Sequence, residues 1–164
     1  MKYLIFKVFV VFVFFYILLY SHVCLAYTEN PLDCDHTDTR FNCVKYVSNY
    51  DGDTITIDIP NIHPFFGIHA HVRVYGIDAP EIDGKGPCEK KVAEEAKNRV
   101  IALLIAAKRI DLTNLGTEKY GRILAEVLAD NVSIGPILLK EKLAYEYYGD
   151  TKKKIDWCTF KKIN

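Results

Sequence analysis

Neither sign of charge is in excess in this 164-residue chain: 21 Lys and Arg are matched by 21 Asp and Glu, for a formal net charge of zero at pH 7. The balance excludes a protein that grips polyanions through a globally basic surface, and equally an acidic, solvating tail. Internal repeats and low-complexity segments are also missing. With 50% apolar against 26% charged residues, a disordered chain is excluded and one buried core is within reach. Any function must come from a local arrangement of side chains.

Long apolar runs are scarce as well. The one that occurs, residues 8–20, is shorter than the roughly 20 residues a helix needs to cross a membrane. Lys2 and Lys7 stand at its start, and Val23, Cys24, Leu25 and Ala26 follow it, with small residues at 24 and 26 suiting a signal-peptidase cut. Residues 1–26 therefore read as an export signal; an uncleaved membrane anchor is the alternative, because counting from Leu4 lengthens the run. The expected location is secreted or periplasmic, or membrane-anchored and facing away from the cytoplasm. Loss of Lys2 and Lys7 leaves the remainder slightly acidic.

Of the five cysteines, Cys24 falls in the expected signal, leaving Cys34, Cys43, Cys88 and Cys158. An even number in an oxidising compartment predicts two disulfides. The preferred pairing staples a short N-terminal loop through Cys34 and Cys43 and ties the C-terminal tail to Cys88 through Cys158. A metal site on Cys34, His36 and Cys43 is the competing reading, but the spacing matches no standard zinc pattern.

Period-two alternation predicts strands at 44–50 and 55–59, where Ile55, Ile57 and Ile59 alternate with Thr56 and Asp58, and again at 71–77, 110–115 and 123–129. Ala93, Ala96, Val100, Leu103, Leu104 and Ala107 recur three and four apart and predict a helix over 88–107, with Glu89 in its first turn and Lys108 and Arg109 at its end. A second helix is predicted over 134–143. Residues 27–43 read as a polar, disulfide-pinned arm, 60–66 as a loop exposing Phe65 and Phe66, 44–158 as the domain and 159–164 as a tail. Three strands, a helix, two strands and a helix predict a mainly β fold with α (α+β): a five-stranded Greek-key barrel of the oligonucleotide-binding type with two or three helices.

Chemistry-bearing residues gather in three places: Asp51-Gly52-Asp53-Thr54, then Arg73 through Glu81 with Asp78, Ala79 and Pro80 between, then Lys119-Tyr120-Gly121-Arg122. Cutting a phosphodiester with water needs a cation on the phosphate oxygens, an aligned nucleophile, and donors for the charge that develops. Taken together and in this order, the three motifs resemble the staphylococcal nuclease (thermonuclease) family over about 44–148.

The resemblance implies a calcium-dependent nuclease acting on DNA and also RNA, in which water attacks phosphorus, the 5′-oxygen leaves and products end in 3′-phosphates. Asp53 and Asp78 become the metal ligands together with the backbone carbonyl of Ala79, where the family has threonine; hard oxygen donors suit calcium. Glu81 becomes the candidate general base, and Arg73 and Arg122 the phosphate-binding arginines. Lys119, Tyr120 and Tyr148 are expected near the substrate, and Thr54 near the metal ligands. Strict alternation sets Arg73 and Asp78 on opposite faces of their strand, so a bend is expected at Gly76. His63, His69 and His71 read as structural or surface residues. The chain lacks the family's long, basic final helix and ends in Lys152-Lys153-Lys154, Trp157 and Cys158. No stable protein partner is implied. The rival readings are a noncatalytic nucleic-acid-binding module on the same barrel and a disulfide-framed surface protein.

Overall fold

The computed structural model describes residues 34–162; the expected export signal, the part of the arm before Cys34 and the last two residues lie outside them. The chain order is β1 (Arg40–Phe41), β2 (Lys45–Asn49), β3 (Thr54–Asp58), α1 (Pro64–Gly67), β4 (Ala70–Val74), β5 (Ile77–Asp78), α2 (Pro87–Ala106), β6 (Ile110–Thr117), β7 (Ile123–Ala129), β8 (Val132–Ser133), α3 (Ile134–Lys140), β9 (Tyr145–Glu146) and α4 (Trp157–Lys161).

Alternation builds the sheet. In β3, Ile55 and Ile57 are fully buried while Thr54, Thr56 and Asp58 stay partly accessible, which pins the register because a one-residue slip would invert every side chain. Neighbours run β1-β6-β7-β4-β3-β2, with β4 and β7 parallel and the other pairs antiparallel. Since β1 and β2 are consecutive stretches of one segment, β1 on β6 and β2 on β3 close the sheet on itself, and Val44 N–H adds a bond to Ile110 O at 2.9 Å across the seam. The expected five-stranded barrel results, its bends helped by register shifts between Tyr46 and Ser48 and between Thr113 and Gly116. The stretch 34–43, read as an arm, contributes β1.

The seam is held by Asp111, 1% exposed. Its carboxylate accepts the Cys43 N–H at 2.8 Å, Arg109 Nε at 2.8 Å and Arg40 Nη2 at 3.2 Å. Burial alone would raise its pKa, but these donors outweigh it and hold the carboxyl below its ordinary value. A depressed acid contributes stability above its unfolded pKa, and that contribution is lost as pH falls through the folded value, below about 4. Asp111→Asn is accordingly expected to remove about 2 kcal/mol near pH 7. The gap to the unaltered protein in urea unfolding should narrow as pH is lowered past that range; a gap constant with pH would assign the loss to shape.

Helix α2 begins with Pro87 at its first position and Glu89 in its first turn, and lays Val92, Ala93, Ala96, Val100 and Leu104 on the barrel. It stops at Ala106, so Lys108 and Arg109 lie past its end, their N–H groups bonding Asp130. Among the described residues the two short helices α1 and α4 join the two predicted spans, making four where two or three were expected. His63 caps α1, whose Phe65 and Phe66 are exposed, and α4 is capped by the Asp156 side chain. Cys34 bridges Cys43, and Cys88 at the start of α2 bridges Cys158 in α4 across 70 residues of sequence. A loop of that length favours a loss of about 4 kcal/mol on replacing Cys88 and Cys158 by Ser. An unmoved unfolding midpoint would mean that Trp157 and its neighbours hold the terminus without the bridge.

Candidate active site

The Asp51-Gly52-Asp53 turn is closed by its own side chain: Asp51 Oδ1 accepts the N–H of Asp53 at 3.0 Å and of Thr54 at 2.7 Å, a geometry short polar residues favour. Glycine is required in its middle. A Cβ on Gly52 would lie 2.7 Å from the Cβ of Ala96 on α2 and 2.9 Å from that of Ala79. Seated this way against α2, the turn carries Asp53 inward, to 5% exposure.

Strand β4 sets Arg73 opposite Thr54. The guanidinium, on a residue 7% exposed, forks between two carboxylates: Nη1 is 2.6 Å from Asp53 Oδ1 and Nη2 is 2.7 Å from Asp78 Oδ1. The bend needed to bring Arg73 and Asp78 together falls at Tyr75-Gly76, with Gly76 at φ +81°, a conformation glycine adopts without strain. Beyond it, Ile77 and Asp78 leave the barrel and pair with β9. That pairing puts Tyr145 opposite Asp78, and its hydroxyl donates to Asp78 Oδ2 at 2.7 Å. Burial and this bond push the phenol's pKa well above its ordinary value.

Ala79, the residue whose carbonyl is the third expected ligand, is buried here and donates its N–H to Asp53 Oδ2 at 2.5 Å. Burial pushes the Asp53 carboxyl up to about 7; Arg73 and the Ala79 N–H pull against this, while Asp51 and Asp78 add repulsion. Asp53 and Asp78 thus share one guanidinium in a buried setting, where a second cation on the pair is favoured. Among the described residues no group of three or more His, Cys, Asp or Glu side chains forms a cage. A cation here would rest on the two aspartates, backbone and water, a donor set of hard oxygens that fits calcium and not zinc or copper.

Glu81 lies at the mouth, 48% exposed, its Oε1 3.1 Å from Lys152 Nζ. The same ammonium is 3.0 Å from Asp78 Oδ1. Desolvation opposes the charge on Lys152, but the two carboxylates outweigh it and raise the pKa. Arg122 joins from the hairpin after β6: its Nη1 donates to Thr54 Oγ1 at 3.2 Å, and that hydroxyl donates to Asp53 Oδ1 at 3.2 Å. Glu118 grips Arg122 through both oxygens, at 3.2 and 3.3 Å, and takes the Tyr120 N–H at 2.9 Å.

The chain therefore brings Asp53, Arg73, Asp78, Ala79, Glu81 and Arg122 into one constellation. Beside it opens a cleft of about 280 Å³ whose walls include Arg73, Tyr75, Lys119, Tyr147 and Tyr148. Tyr75 and Tyr148 meet edge to face at 5.6 Å. Tyr120 does not line this cleft; it is 73% exposed, with the Lys119 ammonium 4.8 Å from its ring centre. His63, His69 and His71 stay outside the constellation, and His71 meets the Thr56 hydroxyl at 3.2 Å. Sequence reasoning passed over Lys152, Glu118 and the role of Tyr145. The run Lys152-Lys153-Lys154 and the spacing of Glu118 to Arg122 about a tight turn were the available signals.

A family model described as "Staphylococcal nuclease homologue" matches residues 71–160, a stretch that holds every residue of the constellation except Asp53. Endonuclease YncB of Bacillus subtilis (strain 168) is 34% identical over 132 residues, covering 76% of this chain and 60% of that protein. The SPbeta prophage-derived endonuclease YokF of the same organism is 35% identical over 107 residues, covering 62% of this chain and 34% of its own length. The chain spans less than two thirds of either relative.

Proposed function

The chain belongs to the staphylococcal nuclease family, and from that premise we propose that it is an exported, calcium-dependent nuclease hydrolysing phosphodiester bonds of DNA, and of RNA by the same site. The observation that carries the reading is the Arg73 fork on two buried aspartates, with Arg122 tied into the same group through Thr54. Both relatives carry endonuclease in their names.

Asp53, Asp78 and the Ala79 carbonyl hold the calcium ion in this reading, and the ion, when bound, neutralises phosphate oxygens and polarises the phosphorus centre. The protein's own groups do the rest. Arg73 and Arg122 present planar guanidinium donors to phosphate oxygens, a fit an ammonium lacks, and they are already oriented by Asp53, Asp78, Thr54 and Glu118. Glu81 stands at the solvent-accessible mouth, where it takes the proton of the attacking water. The 5′-oxygen departs, leaving a 3′-phosphate. Tyr148 and its neighbours offer a stacking surface indifferent to base identity, with Lys119 beside it and Tyr120 at the exposed hairpin tip. Export is supported by the two disulfides, which persist in oxidising compartments.

The test is cleavage of single-stranded DNA by the oxidised protein across a calcium titration, with a chelator arm. Cutting that rises with calcium and stops with chelator is the expected result. Binding of the same oligonucleotide without cutting at any calcium concentration would convert the assignment to a noncatalytic binding module.

A further inference from the structure

A polymer cut in its interior leaves the reacting centre in two directions, and the aromatic cleft accounts for only one. A second cleft of about 300 Å³ adjoins the site, with walls that include Asp78, Glu81, Tyr145, Trp157 and the three consecutive lysines 152–154. The two clefts share no lining residue. Arg73 lines the first and Asp78 the second, so their 2.7 Å ion pair marks where they meet.

The lysines are held there. The segment carrying them follows β9, whose Tyr145 ring packs 6.2 Å from that of Trp157, and it ends at buried Trp157 beside the Cys88–Cys158 bridge. Lys152 is spent on the acids of the site, bonding Asp78 and Glu81. This offsets charge that would otherwise repel an incoming phosphate. Lys153 and Lys154 are exposed, and no carboxylate among the described residues pairs with either. In a chain with no net charge, two lysines without a carboxylate partner, Lys153 with its ammonium 6.0 Å from the Tyr145 ring centre, put positive charge at the edge of the reacting centre.

We propose that segment 150–156 forms a second strand subsite, in which Lys153 and Lys154 hold backbone phosphates of the same nucleic-acid strand whose scissile phosphate lies at Arg73. The aromatic cleft takes a base, and the lysine cleft takes the backbone on the other side of the cut. The proposal rests on the nuclease reading. It makes the protein an enzyme that prefers long single strands to short ones, and it assigns that preference to the C-terminal segment.

The experiment compares the unaltered protein with Lys153→Gln/Lys154→Gln on dithymidylate, which has one phosphate, and on an oligothymidylate longer than the ~16 nucleotides an oligonucleotide-binding fold covers. In calcium, the ratio of kcat/KM for long over short substrate should fall about tenfold in the double variant. With chelator present, binding of the long strand should depend on salt less steeply by about 1.4 in log-log slope, for two lost contacts at roughly 0.7 each. A ratio and slope unchanged by the substitutions would overturn the subsite. Equal loss on both substrates would also overturn it, assigning the lysines to the fold or the reacting centre. If neither protein cuts either substrate, the nuclease reading falls, and the salt slope alone decides the subsite.

Discussion

Glu81→Gln should lower turnover by about two to four orders of magnitude at saturating calcium, the contribution general acid-base catalysis typically makes. Glutamine keeps the length, the shape and one acceptor oxygen of glutamate but cannot take the proton of an attacking water. The position is half-exposed, and among the described residues the side-chain contact at risk is the ion pair to Lys152, which retains Asp78 as a partner. The fold should therefore survive, and near-identical urea unfolding curves would show that it has. The calcium midpoint should shift little, because Glu81 is not among the assigned ligands. Turnover within twofold of the unaltered protein would remove Glu81 from the role of base, while a large midpoint shift with intact turnover would make it a ligand instead.

Arg73→Lys is the second large effect, expected at about two to three orders of magnitude in kcat/KM, comparable to removing a preorganised donor from a developing oxyanion. Lysine keeps the charge, so a role limited to net electrostatics would leave a small effect. The geometry argues otherwise. One ammonium cannot reproduce the fork that reaches Asp53 at 2.6 Å and Asp78 at 2.7 Å, nor can it offer a planar pair of donors to phosphate. The Asp53 carboxyl, already pushed up to about 7 by burial, would be less well held, so the calcium midpoint should shift in the same variant. Measuring kcat/KM and calcium binding together separates the two. Loss of cleavage with calcium affinity retained would assign Arg73 to phosphate alone, and activity near the unaltered level would dismiss it from the mechanism.

Much of the fold is legible in one dimension because its signals are local. The isoleucines of β3 alternate with polar residues and are buried where alternation puts them, and the apolar stripe of α2 faces the barrel over nearly the predicted span. Irregular pieces are harder to read. A strand as short as β1 has no room to alternate, and it is a strand only because β6 supplies the partner. Residues 71–77 look continuous because Val72, Val74 and Ile77 are all apolar, yet the chain turns at Tyr75-Gly76 and changes partners. Gly76 carried the hint of that turn; the sequence carried no hint that Tyr145 would answer Asp78 from β9.

By its sequence alone this chain declares which residue types are available for phosphodiester chemistry and in what order, since carboxylates, arginines and a proline-fixed glutamate recur in a pattern that needs no coordinates to recognise. It also declares the barrel, because strand and helix periods are properties of neighbouring residues. Only the tertiary structure decides that Asp53 and Asp78 converge on one guanidinium, that Thr54 links Arg122 to the same group, and that Lys152 reaches back to Asp78 and Glu81. Asp78 is five positions from Arg73 and reaches it only because the chain bends at Gly76; Asp53 to Arg73, Arg122 to Thr54 and Lys152 to Glu81 lie 20, 68 and 71 positions apart. The existence of these contacts depends on how a closed barrel and two long-range tethers, the β5–β9 pair and the Cys88–Cys158 bridge, fold the ends of the domain onto its middle.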